Sequence, residues 1–433
     1  MSRRIILAWI LVSLWGPSIR AQVPYPRDLI PTRTALGRVG LERAWFATVP
    51  LTETERLLGI DISDNLLFAQ TSSTNLYTYD AESGRLLWST SLGHRTNEAR
   101  EVATNARMVF VTSSTYLFAL DRRTGRTIWR VELPGQPSSP TGADETRAMI
   151  GLSSGKLMAF DVSNGSPLWN WQTEGPILAR PVPAVQVVAF ASQDGKAYVA
   201  LADPSTMLYR FAAGGPISTS MGTFGSRTLL IPSADKNLYA VDLLNAETKW
   251  TFPSGAAIVQ EPLVANDDVY VANAQGQMSA LDAETGLPRW TTSTQGGRLL
   301  AVGAKRIYLN SSDRDLFLID RATGRTLADP RSTRDRSGVR LREFNLDVTN
   351  SLNDRLYFAT SSGMVLAIRE IGAVQPHLLR DPKTPAFGFV QTEGESATPP
   401  AAPTVPAETP ADAEAAPADA NDQPAAKDAD TPP

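Results

Sequence analysis

The feature that most constrains this chain is a short pattern that returns about every forty residues. One clear copy, LFALDRRTGRTIW, runs from Leu117 to Trp129. Others are LYTYDAESGRLLW (76–88), LMAFDVSNGSPLW (157–169), LYAVDLLNAETKW (238–250), MSALDAETGLPRW (278–290) and LFLIDRATGRTLA (316–328). The first half of each alternates apolar with small or polar residues, which reads as a half-buried strand. An Asp ends that strand (Asp80, Asp121, Asp161, Asp242, Asp282, Asp320), and a Gly usually follows four residues later (Gly84, Gly125, Gly165, Gly286, Gly324). The Asp carboxylate can accept from the N–H groups just after it, and Gly can take the positive φ that closes the turn. A second strand then runs to Trp. The unit is a β-hairpin, and one hairpin cannot bury a Trp. Stacked copies can, so the Trp series is expected to pack between neighbouring repeats.

The step between Asp positions is about forty except for a double step between Asp161 and Asp242. A degenerate copy fills that gap: GKAYVALADPSTMLYRF (195–211) aligns without gaps to GKLMAFDVSNGSPLWNW (155–171). It puts Leu201 at the Asp position, Ser205 at the Gly and Tyr209 at the Trp. Its loop, 202–206, should be shaped differently. A last copy, GMVLAIRE (363–370), has Arg369 at the Asp position and no Trp after it. At the other end, Arg43-Ala44-Trp45 resembles an orphan second strand. Each later unit also begins with a strand of its own, such as LLFAQTSS (66–73) or MVFVTSS (108–114). These observations predict an all-β fold: an eight-bladed β-propeller of four-stranded antiparallel blades, with the N-terminal strand completing the last blade and removing sheet edges.

The copies Ala119-Leu120-Asp121…Thr124-Gly125…Trp129 and Ala280-Leu281-Asp282…Thr285-Gly286…Trp290 resemble the PQQ-like propeller repeat, A-x-D-x-x-T-G-x-x-x-W. The resemblance covers roughly residues 40–370. It is specific for the fold and not for one function. That family holds quinoprotein dehydrogenases and also non-enzymatic proteins of the outer-membrane assembly factor (BamB) type. The size and eight compact repeats of this chain are closer to the second kind.

The ends differ from the repeats. Residues 1–21 read as a signal peptide: Arg3 and Arg4, an apolar run from Ile5 to Trp15, and a cleavage site near Ala21. The run is too short for a comfortable span, which takes about 20 residues. No Cys stands near the cleavage site, so a lipoprotein anchor of the kind usual in the BamB type is not expected. Residues 22–39, with Pro24, Pro26 and Pro31, are expected to be an extended lead-in, and 40–385 to be the propeller. Residues 386–433 read as a disordered tail rich in Ala, Pro and acids. From Gln391 on it carries nine acids and one base, while the whole chain is −4.

Little in the sequence points to catalysis. With no Cys, thiolate metal sites and Cys nucleophiles are excluded, as are disulfides. The two His, His94 and His377, fall at unrelated points of the repeat, and no phosphate loop or calcium loop is present. A pI near 5.5 argues against general nucleic-acid binding. The step from Asp320 to Arg369 is long, and its extra segment, 329–343, holds Arg331, Arg334, Arg336, Arg340 and Arg342. A long loop on a rigid scaffold is where function tends to sit, so these arginines are the candidate partner-binding residues. No catalytic residue, metal or cofactor is expected. The expected function is that of an exported scaffold or interaction propeller, a monomeric ring in the periplasm or cell envelope. Its partners would be envelope or outer-membrane proteins, and the resemblance points to outer-membrane protein assembly. A PQQ-dependent dehydrogenase and a glycan-binding propeller are the alternatives.

Overall fold

The computed structural model describes residues 29–93 and 98–388. The expected signal peptide, the lead-in up to residue 28, His94 and the expected tail from 389 on lie outside the described residues. The described chain forms eight four-stranded antiparallel sheets. Seven are built from consecutive strands, within 57–91, 103–132, 142–172, 182–212, 222–253, 263–293 and 298–328. The eighth combines three strands within 346–370 with Leu41–Thr48. The expected eight-bladed propeller is the observed one.

Two features differ from the sequence reading. The blades do not begin at the apolar strands such as Met108–Ser113. Each begins with an earlier strand, often only two residues long, as at Ala103–Thr104, Gly142–Ala143 and Val182–Pro183. Such short pieces carry no legible period. Their pairing is set by the next strand, as in Ala103 with Phe110 and Thr104 with Val109. The first strand of the repeat hairpin is also not half-buried. Leu117 to Leu120 are buried throughout, as are Met149 and Ile150 in the strand before Lys156–Asp161. Both faces of each middle strand lie under a neighbouring blade, so alternation there sorts large from small side chains. Only the outermost strands alternate in exposure, most regularly in Ser205–Ala212.

The Trp series sits between blades as expected. Each indole N–H donates to the carbonyl of the residue after the Asp position in the next blade: Trp45 to Ala81 (2.8 Å), Trp88 to Arg122 (2.8 Å), Trp129 to Val162 (2.8 Å), Trp169 to Ala202 (3.0 Å), Trp250 to Ala283 (3.0 Å) and Trp290 to Arg321 (2.9 Å). Tyr209 does the same with its hydroxyl, which donates to Leu243 O at 2.9 Å. The ring lies flat against the turn Gly. A Cβ at Gly125, whose φ is +70°, would come within 2.3 Å of Trp88. The Asp of the turn accepts as predicted. Asp121 Oδ1 takes the Thr124 N–H at 2.8 Å and its hydroxyl at 2.7 Å. Trp171 packs beside Trp169 in the core shared with Leu157 and Ile177.

Closure follows the sequence expectation. Leu41–Thr48 pairs antiparallel with Met364–Glu370, with Arg43 opposite Ile368 and Trp45 opposite Ala367. Arg369, at the Asp position, donates its Nε to Glu42 at 2.8 Å. Because the partner strand arrives from the other end of the chain, no hairpin turn joins the two outer strands of blade 8. A Trp at position 328 would find no Gly to sit on, and Ala328 stands there. That junction is filled differently. A short helix α1 (Arg33–Arg38) and a π-helical turn (Ser332–Ser337) seal it, with Leu36, Val339, Leu341 and Phe344 buried beneath. The expected extended lead-in over 22–39 is therefore corrected for its last residues. Thr32 caps α1 by accepting the Ala35 N–H at 3.2 Å, and burial of Ala35 and Leu36 holds so short a helix in place. In blade 4 the degenerate loop is, as expected, different. Both strands run on until Ala202 pairs with Ser205, leaving Asp203-Pro204 as the turn.

Candidate functional site

The short innermost strands surround an axial cavity of about 1700 Å³. Four charged residues from different blades converge on its wall. Arg180 forms an ion pair with Glu101, and its backbone N–H donates to Ser220 Oγ at 3.1 Å. Asp61 is buried and accepts from Val102 N (2.6 Å) and Ile62 N (2.8 Å). Glu261 faces the same space. Burial pushes the Asp61 carboxyl up to about 6 against the pull of Arg180, with Glu101 adding repulsion. Glu261 is itself exposed to the water of the cavity, but the ring walls around it penalise its charge and raise its pKa to about 7, with Arg180 favouring the charge and Glu101 opposing it. For Arg180, burial disfavours the charge, but Glu101, Asp61 and Glu261 together raise its pKa above the ordinary value. Three carboxylates thus share one guanidinium. Among the described residues no group of three or more His, Cys, Asp or Glu is arranged to hold a metal ion. No single periodicity in the sequence marks this cluster. Glu101, Arg180 and Glu261 each stand two residues before an innermost strand, at corresponding points of three blades where the repeat pattern varies freely.

The five candidate arginines do not form a free loop. Arg331 stands at the N-cap of the π-helical turn, and the others lie on that turn and the segment after it, at the junction of blades 7 and 8. Arg334 donates to Asp315, which is wholly buried, at 2.5 Å, and to Asp335 at 2.9 Å. Arg342 reaches the same Asp315 oxygen at 3.4 Å. Arg331, Arg336 and Arg340 are exposed, as is most of Arg342. Arg38 of α1 joins them by donating to Ser337 O at 3.3 Å. His377 makes no constellation with them; its N–H donates to Asp354 at 3.0 Å.

Comparison with known proteins follows this geometry. Residues 31–177, 113–209 and 187–386 match the family described as outer membrane protein assembly factor BamB. The curated BamB of Shewanella oneidensis is 23% identical over 197 residues, 42% of this chain and 50% of that protein, so the similarity spans half the length of that relative. The fold is shared with the crystal structure of BamB from Moraxella catarrhalis (TM-score 0.61, 18% identity, 76% of this chain and 97% of that one). It is also shared with the computationally designed Ika8 protein (TM-score 0.59, 13% identity, 74% of this chain and 98% of that one).

Proposed function

This chain belongs to the family described as outer membrane protein assembly factor BamB, and on that premise we propose that it is a non-catalytic scaffold of the cell envelope that takes part in assembling outer-membrane proteins. The observation that carries this reading is the family match itself, which runs through every blade of the ring. A ring locked at six of its eight junctions by an indole hydrogen bond, and at a seventh by the Tyr209 hydroxyl, offers rigid loops and rims for docking. Rigid surfaces lose little conformational freedom when a partner binds. In this reading the chain is exported, its signal peptide is cleaved near Ala21, and the ring acts as a monomer in the periplasm. The partners are envelope or outer-membrane proteins. The contact we propose is the exposed group Arg331, Arg336, Arg340 and Arg342, with Arg334 held behind it against Asp315. Planar guanidinium groups suit carboxylates on a partner surface.

Affinity capture from envelope extract with the tagged full chain should recover outer-membrane assembly proteins. Reversing Arg331, Arg336 and Arg340 to Glu should lower that recovery by about tenfold or more while leaving the melting temperature in place. An extract that yields no outer-membrane assembly protein would sink the reading. A quinoprotein would instead reduce a dye when given PQQ and calcium, whereas the scaffold reading expects no turnover.

A further inference from the structure

The turns between the first and second strands of the blades all lie on one face of the ring, and a segment of this chain crosses that face. Residues 371–388 leave blade 8 after Glu370 and hold no strand of their own. Their root is firm. Buried Arg355 donates to Val374 O at 3.0 Å, and the His377 N–H donates to Asp354 at 3.0 Å. Leu379 N then donates to Leu352 O (3.0 Å) in blade 8, and Leu379 O accepts from Asn266 N (2.8 Å) in blade 6. At the far end Phe387 O accepts from Val185 N (3.3 Å) in blade 4, and Gly388 N donates to Ser226 O (2.7 Å) in blade 5. Blades 8 and 4 are opposite each other in an eight-bladed ring, so the segment spans the axis. Pro376, Leu378, Leu379, Arg380, Asp381 and Thr384 line the axial cavity. The segment is the cover of one of its mouths.

The attachment is sparse. Leu379 sits in the core between blades 6 and 7, and Phe387 in the core between blades 4 and 5. Gly388 fits because a Cβ there would lie 2.3 Å from Ala184. Most of the other residues from 371 to 386 are exposed, and the only β-pairing is the single bridge of Leu378 with Asn353. The middle strands of each blade, by contrast, are hydrogen-bonded along their length and covered on both faces. A segment held at a few points opens locally at far lower cost than the ring it rests on. We propose that residues 376–388 are a releasable strap, an autoinhibitory contact that shuts one mouth of the axial cavity until it lifts from its Leu379 and Phe387 anchors. This stands independently of the role in outer-membrane assembly.

The chain has no Cys, so one introduced thiol reports cleanly. Thr223→Cys places it on the cavity wall. Its modification is followed with a maleimide carrying a polymer too bulky for the closed mouth, in the full chain with and without Leu379→Ala plus Phe387→Ala. Releasing the strap should speed labelling at least about tenfold, as for a locally opened segment, while the ring keeps its cooperative melting. Equal rates would overturn the proposal. A chain ending at Gln375 lacks the strap but keeps every blade strand, and should label as fast as the double variant. If it labels at the rate of the full chain, or if neither variant forms the ring, the segment is a structural brace and not a gate.

Discussion

At five of the blade junctions a glycine decides whether an indole can seat. Gly125→Ala places a Cβ against Trp88 and keeps a left-handed φ, which by itself costs about 1–2 kcal/mol. Its denaturation midpoint should fall by more than that backbone figure implies, because Trp88 must also move. The junction after blade 4 tests the same logic in reverse. There the docking ring is Tyr209, and the turn it reaches has Ala246 at the Gly position with φ 62°. A phenol that reaches the carbonyl at its tip coincides with a turn residue that has a Cβ. Tyr209→Trp alone should destabilise the ring, and Ala246→Gly should rescue it, with a coupling of about 0.5–3 kcal/mol in a double-mutant cycle. Additive effects would show that the two positions are independent. The Asp, Gly and Trp of each turn were legible from the chain because their roles are local. The substitution of Ala246 became intelligible only with Tyr209 beside it.

Among the elements, the segment over blades 7 and 8 shows how one stretch can be both seal and surface. Asp315 is fully buried, with one oxygen unpartnered and the other held by Arg334 and Arg342. Arg334→Ala leaves that carboxylate with a single, longer contact and should cost up to about 3–5 kcal/mol. Arg336→Ala, exposed and without an ion pair among the described residues, should change stability by no more than about 0.5 kcal/mol. Chemical denaturation of the two variants separates the structural arginine from the candidate docking one. The sequence marked this segment by its length and its arginines, and the reason for its length lay elsewhere. A blade whose outer strands are not joined by a turn needs a substitute for the Trp, and α1 and the π-helical turn supply it. Most of the innermost strands escaped notice for a related reason: six of the eight have only two or three residues, and only the neighbouring strand holds them extended.

For the whole molecule, the axial charges predict a pH dependence. Glu261 has a pKa near 7 in the fold against 4.5 ordinarily, so the folded state binds its proton more tightly than the unfolded one. That contribution to stability is complete below pH 4.5 and is lost as pH rises through 7. Glu261→Gln should therefore melt higher than the natural chain above neutral pH and no higher below pH 4.5. A gain of the same size at both pH values would mean that the carboxyl does not feel the enclosure. Ring closure is the other property of the whole. Trp45→Ala removes the indole of the closing strand and should cost about 3–5 kcal/mol, as much as a Trp inside a continuous blade, if the two ends of the chain form an ordinary junction.

By itself the sequence determined the blade count, the hairpins, the inter-blade role of the tryptophans and the pairing of the segment bearing Trp45 with the one bearing Ile368. These follow from short-range patterns repeated often enough to be read against one another, and from the need of each repeat for a neighbour to cover it. Only the tertiary structure decided what meets beyond the hairpins: Asp61, Glu101, Arg180 and Glu261 around one cavity, two of the arginines against Asp315 at the junction of blades 7 and 8, and the strap from blade 8 to blade 4. Most of those contacts join residues far apart in the chain, at positions whose identity the repeat leaves unspecified. Closing the ring brings them together, and nothing in their local sequence required it.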